Sequence, residues 1–219
     1  MKIIINGIEV FVEESESYIQ INDINQKDLA GIWEPLTTRY PGYEVTLCFR
    51  DMPPPTEALA AIGAEVLEDC IAMKVTQHEY KPCDSHEIKP LTKADYAGFA
   101  ELHDKLNPPP DMYWTSQRIL QKWDIWRIFV VYENGNITGY ALIRLDMGDS
   151  ALGEIFGVES DNPAHRVALF SAVVECAFEN GKSTVLRMVD RDNSRGEYEA
   201  ALAVGFRETG YYIGYIVRN

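Results

Sequence analysis

The stretch Gly153-Glu-Ile-Phe-Gly-Val-Glu-Ser-Asp-Asn-Pro-Ala-His-Arg166 holds the end of one element and the start of the next. Ala151 to Glu159 reads as a strand. Pro163 to Asn180 reads as a long helix, because Pro163 suits a first turn, where its missing N–H is not needed, and Gly181 suits the C-cap. Upstream, Trp126 to Glu133 and Asn136 to Asp146 are strands joined through Glu133-Asn134-Gly135-Asn136, whose Asn-Gly pair favours a two-residue hairpin turn. Downstream come a strand from Thr184 to Val189, a helix from Glu197 to Val204 stopped by Gly205, and a hairpin-like strand region from Arg207 to Val217. Ahead of the hairpin, Ile88 opens a strand leading to Thr92 as N-cap and a helix to about Leu106. The run Asn107-Pro108-Pro109-Pro110 separates that helix from another, Thr115 to about Asp124. The order predicts an α/β fold of the α+β kind, a mixed and mostly antiparallel sheet flanked by helices.

Working outward to the N-terminus, Lys2 to Ile5 and Glu9 to Val12 flank Asn6-Gly7 as a second hairpin. A helix follows from Asp23 or Asn25, with Leu29, Ile32, Trp33 and Leu36 on one face, and ends before Tyr40-Pro41-Gly42. Glu44 to Phe49 is a strand, Glu57 to Ile62 a short helix closed by Gly63, and Glu68 to Val75 another strand. The polar stretch Thr76 to Glu87 sets a boundary, giving a small α/β domain over residues 1–82 and a larger domain over 83–219. A weak internal repeat is read between them, against the alternative that any two strand-helix-strand units look alike. Glu44 to Asp51, Ala58 to Glu65 and Cys70 to Val75 line up with Ser183 to Asp190, Ala200 to Arg207 and Tyr212 to Val217.

Composition narrows the function classes. Twenty Lys and Arg stand against thirty-four Asp and Glu, a net charge of −14. A phosphate backbone or an anionic membrane is repelled by such a surface, and there is no local basic stripe, so neither nucleic acid nor membrane is an expected partner. The same field would concentrate small amines near the surface, against the alternative that the charge serves solubility alone. Cys48, Cys70, Cys83 and Cys176 form no CxxC pair and have no His at metal-ligand spacing, so no metal is expected, and they read as thiols of a reducing compartment. With no signal peptide and no membrane-length apolar run, the expected location is cytoplasmic.

The residues of the opening stretch and of the C-terminal region carry a resemblance. Gly153 to Val158, Asp161-Asn162-Pro163 and His165-Arg166, followed by Val185 to Asn193, Ala200 to Val204 and Gly205-Phe206-Arg-Glu208, resemble the GNAT acetyltransferase superfamily over about 130 residues. Asn193 and Gly205-Phe206 are the most specific part. The whole chain resembles tandem members in which the N-terminal copy has decayed. The resemblance implies acetyl-CoA as co-substrate and a small-molecule amine as acceptor. It implies a bulged strand over Gly153 to Val158 that splays from its neighbour and pairs with the pantetheine arm, the N–H of Phe156 or Val158 polarising the thioester. Arg166, Leu169, Ser171 and Asn193 complete the implied coenzyme contacts, although the expected glycine pattern Arg/Gln-x-x-Gly-x-Gly/Ala reads here Arg166-Val167-Ala168-Leu169-Phe170-Ser171, with no glycine.

The implied chemistry falls on few groups. Glu154 is the candidate base, and the alternative is a solvent-facing strand residue, since Ile155 points the other way. The tyrosine that many family members carry as acid for the leaving thiolate maps to Ala201. Tyr198, one helical turn earlier, is the candidate in its place, against a packing role. Asp111, Tyr113 and Trp114, beside the rigid prolines, offer an anion and aromatic faces to an amine, against a role in covering the core. His165 reads as a surface residue, His103 as half-buried scaffold, and Tyr211, Tyr212 and Tyr215 as core or pocket lining. The function that follows is N-acetyl transfer. The rival is a catalytically inactive ligand-sensing or partner-binding protein, which the missing glycines favour, and whether the chain forms a homodimer stays open.

Overall fold

The computed structural model describes residues 1–84, 87–108, 113–147, 149–192 and 195–218. In chain order the elements are β1 (Lys2–Ile5), β2 (Ile8–Glu13), β3 (Tyr18–Asn22), α1 (Gln26–Arg39), β4 (Glu44–Arg50), α2 (Thr56–Ala61), β5 (Glu65–Thr76), β6 (Ile88–Pro90), α3 (Tyr96–Leu106), α4 (Ser116–Gln121), β7 (Trp126–Glu133), β8 (Asn136–Arg144), β9 (Leu152–Ser160), α5 (Pro163–Glu179), β10 (Thr184–Asp190), α6 (Arg195–Ala203) and β11 (Arg207–Val217). They fall into two compact units, one of residues 1–71, 190–192 and 210–219, the other of 72–189 and 193–209. The last strand therefore divides between the units, and residues 72–82, assigned by sequence to the small domain, cluster with the larger unit.

In the first unit the strand order is β1-β2-β3-β4-β11. Asn6 and Gly7 take φ of 49° and 85°, the left-handed pair that a type I′ turn requires, and so set the register of β1 against β2. β3 and β4 run parallel, which demands a crossover, and α1 supplies it. Asn25 caps α1 through its side chain, and Leu29, Ile32 and Leu36 at helical spacing face Val10, Val12, Ile19, Ile21 and Leu47. Pro35 lies inside this helix and takes away the N–H that would meet the Gly31 carbonyl. Asn6 Nδ2 donates to that carbonyl instead at 3.0 Å, so the hairpin turn satisfies the group the proline releases. Cys48 and Tyr212 share a buried hydrogen bond of 3.1 Å, and burial pushes the Cys48 thiol up to about 11.

In the second unit β6, β7, β8 and β9 are antiparallel neighbours, and β9 pairs with β10 in parallel across the helix α5. The sheet is thus mixed and mostly antiparallel, flanked by helices. Strand alternation sorts the two faces. Ile128, Val130, Tyr140 and Leu142 meet Tyr96 and Phe99 of α3 and Ile119 of α4. On the other face Gly153 lets α5 come close, since a Cβ there would lie 3.2 Å from Ile143 and 3.6 Å from Ala177.

Asp104 ties α3 to α4. Its carboxylate accepts from the Ser116 amide at 3.1 Å and from the Ser116 hydroxyl at 2.6 Å. Burial pushes this carboxyl up, but the bonds from Ser116 and His103 outweigh it and hold it below the usual value. A carboxyl depressed by folding stabilises the fold above the unfolded pKa and loses that contribution as pH falls through the folded one. Asp104→Ala is therefore expected to cost about 1 kcal/mol near pH 7. Urea denaturation at pH 7 and below pH 3 should show that the deficit shrinks in acid, where the parent chain also loses the carboxylate.

Candidate active site

The site starts from an irregularity in β9. Against β8, Leu142 pairs with Gly157 and Ile143 with Ile155, so Phe156 is an extra residue on the β9 side, a bulge. Against β10 the parallel ladder runs from Thr184 and Leu152 to Arg187 and Ile155, and among the described residues it goes no further, although β9 continues to Ser160 and β10 to Asp190. The two strands therefore part beyond Ile155. Backbone groups of β9 that face β10 past this point are released from the ladder.

Side chains of four elements lie around the split. Arg187 Nε donates to Glu197 of α6 at 2.5 Å, and its Nη1 donates to the Ile155 carbonyl at 3.3 Å. Glu159 lies farther along β9. Burial pushes its carboxyl above the usual range, as does the charge of Glu197, while Arg187 and Arg166 pull the other way. Arg166 donates to the Ser160 carbonyl and packs over Gly196, where any Cβ would overlap its guanidinium.

Phe156 faces an aromatic cluster. Its ring stands edge-on to Trp126 at 5.1 Å and to Trp114 at 6.3 Å. Trp114 also has the Arg144 guanidinium 5.5 Å and the Lys122 ammonium 5.6 Å from its ring centre. The Arg118 guanidinium lies 4.5 Å from the Tyr113 ring. Both aromatic residues thus carry the chain's own cations and form part of the packing beside α3 and α4. Glu154 is half-buried on β9 opposite Arg144, and alternation puts it on the face of Phe156.

The remaining sequence candidates are placed as follows. Val158 is buried opposite Ala141 of β8. Tyr198 is half-buried and donates its hydroxyl to Glu208, and that bond, ahead of burial, raises its pKa. Asp111 and Asn193 lie outside the described residues. Leu169 and Ser171 lie inside α5. α5 already begins at Pro163, with Asn162 as N-cap accepting from the Ala164 amide at 2.9 Å, so both residues sit inside the helix rather than in a turn at its start. Both are fully buried, and the Ser171 hydroxyl meets the Tyr80 hydroxyl at 2.7 Å and the Cys83 amide at 3.1 Å. The first turn of α5 carries Ala164, His165 and Arg166.

His165 is not a free surface residue. Its ring nitrogens stand 3.4 Å from Glu87 and 3.5 Å from Glu133, in a shallow depression of about 490 Å³ lined also by Lys89 and Tyr132. His103 is buried more deeply than expected, between the Phe99 and Tyr140 rings, and burial lowers its pKa. Tyr212 and Tyr215 pack in the first unit, on Cys48 and Phe49. Sequence reasoning missed Arg187, Glu197 and Glu159. Their only signal was charge within an apolar strand or beside one. Among the described residues no group of three His, Cys, Asp or Glu is arranged to hold a metal ion. No helix among them is long and apolar enough to cross a membrane.

The fold has structural counterparts. A GCN5-related N-acetyltransferase from Kribbella flavida superposes with a TM-score of 0.72 over all of this chain and 90% of its own, at 10% identity. A conserved protein of unknown function from Staphylococcus epidermidis ATCC 12228 gives 0.69 over all of this chain and 94% of its own, at 12% identity. A tandem GNAT protein from the clavulanic acid biosynthesis pathway gives 0.62 over 96% of this chain and 78% of its own, at 11% identity. The chain has the fold of the GCN5-related N-acetyltransferases. No protein-family model matches its sequence, and no curated protein does.

Proposed function

We propose that the chain is an acyltransferase that moves an acetyl group from acetyl-CoA to the amine of a small molecule, with the edge of β9 as its platform. The observation that carries this reading is the bulge at Phe156 set where β9 and β10 part. It leaves strand N–H and C=O groups to an extended, amide-bearing arm, which pairs with β9 as an added strand does. The N–H of Phe156 or Val158 is aimed at a carbonyl so held and polarises it, and alignment of the two reactants supplies much of the rate. Glu154 takes the proton that the amine must lose, and Tyr198 supplies one to the departing sulfur. With Leu169 and Ser171 turned inward, the phosphate end rests on the side chains of Arg166 and His165 at the start of α5. The acceptor lies near Tyr113 and Trp114, drawn by the acidic surface. Asp111 and Asn193 keep the roles their sequence positions imply, and residues 1–82 are read as a decayed copy of the larger domain.

A second reading, a ligand-binding module without catalysis, has its own support. α5 covers the positions where the resemblance expects the glycine pattern, and the expected tyrosine is the buried Ala201. Thiol release from acetyl-CoA, followed with a panel of small amines, separates the two. Amine-dependent release, reduced about a hundredfold in Glu154→Gln, supports transfer. Binding without release favours the module, and no binding at millimolar ligand overturns both the transfer and the acetyl-CoA site.

A further inference from the structure

Arg187 sits where the two strands part. It is the last β10 residue in the ladder, opposite Ile155, and its Nη1 takes the Ile155 carbonyl at 3.3 Å. Its Nε is held by Glu197 of α6 at 2.5 Å, and the two side chains are only 13% and 14% exposed. A desolvated, charge-assisted bond of this kind is strong, and it fixes the guanidinium across the mouth of the split. Glu159 of β9 feels the charges of both Arg187 and Arg166. The carbonyl is thus engaged by a side chain of the chain itself, at the first place an incoming strand-like arm would pair.

We propose that the Arg187–Glu197 pair is a latch that closes the split between β9 and β10, and that an extended ligand pairs with β9 only after Arg187 leaves the Ile155 carbonyl. This rests on the reading of β9 as the platform for acetyl-CoA. A closed majority state lowers apparent affinity by the fraction of chains that are open, so releasing the latch raises affinity without adding a contact.

Two variants test it. Glu197→Gln removes the charge that holds the guanidinium. Arg187→Met/Glu197→Leu removes both partners, so that neither charge is left buried alone. Without ligand, amide hydrogen exchange across Phe156 to Ser160 is expected to quicken about tenfold in Glu197→Gln while β7 is unchanged. Titration with coenzyme A is expected to give about tenfold tighter binding in both variants. Unchanged exchange in the folded variants, or an affinity that stays the same or falls, overturns the latch. Faster exchange with no coenzyme A bound by parent or variants supports the latch and overturns the acetyl-CoA reading instead.

Discussion

Gly205→Ala is expected to destabilise the chain by about 3–5 kcal/mol, a large part of the stability of an ordinary domain. Gly205 has φ +99°, and a Cβ built on it would lie 2.2 Å from the Glu79 carbonyl oxygen and 3.3 Å from the Lys81 nitrogen. Both are backbone atoms, so no flexible side chain can swing aside. That backbone is itself pinned. The Lys81 amide donates to Val204 at 3.0 Å, and Glu79 is bonded to Thr76 at 2.6 Å and to Arg207 at 2.6 Å. Relief therefore requires moving the strap of residues 79–81 or the turn after α6. Urea denaturation with circular dichroism measures the loss, and a deficit under 1 kcal/mol would show that the strap does not close on Gly205.

The second large effect separates a lost phosphate turn from a hidden one. Leu169→Gly/Ser171→Gly restores the glycines that the resemblance leads one to expect, and it is expected to cost at least about 5 kcal/mol while giving no gain in coenzyme affinity. Leu169 is fully buried, so its loss opens a cavity. Each glycine also weakens the helix interior, and the Ser171 bonds to Tyr80 and Cys83 disappear. Were the segment a turn facing ligand, the double variant would be tolerated and would bind more tightly. Thermal denaturation followed by titration with coenzyme A distinguishes the two.

Local chemistry made much of the fold legible. Asn6-Gly7 and Asn134-Gly135 both adopt left-handed pairs, and Asn25, Pro163 and Gly181 mark helix ends where expected. β3 was missed although Tyr18-Ile-Gln-Ile-Asn22 alternates with period two, because the charged run before it reads as loop. Its pairing is parallel to β4, a long-range fact that no local signal carries. The closing segment reads as hairpin-like, yet β11 is one strand of eleven residues. The site was less legible. Helical reading from Pro163 and a phosphate turn at Leu169 to Ser171 conflict, because N–H groups inside a helix are already bonded, and the helix prevails. Arg187 finds Glu197 only through the packing of α6, so its part at the split is invisible in the sequence.

The most direct test of the central claim is a titration of the isotopically labelled chain with acetyl-CoA, following backbone amide resonances. If β9 is the platform, the amides of Phe156 and Val158 shift first and saturably at micromolar ligand, together with those at the first turn of α5, while β1 to β4 stay unmoved. Shifts confined to the depression around His165, or none at millimolar ligand, would contradict it.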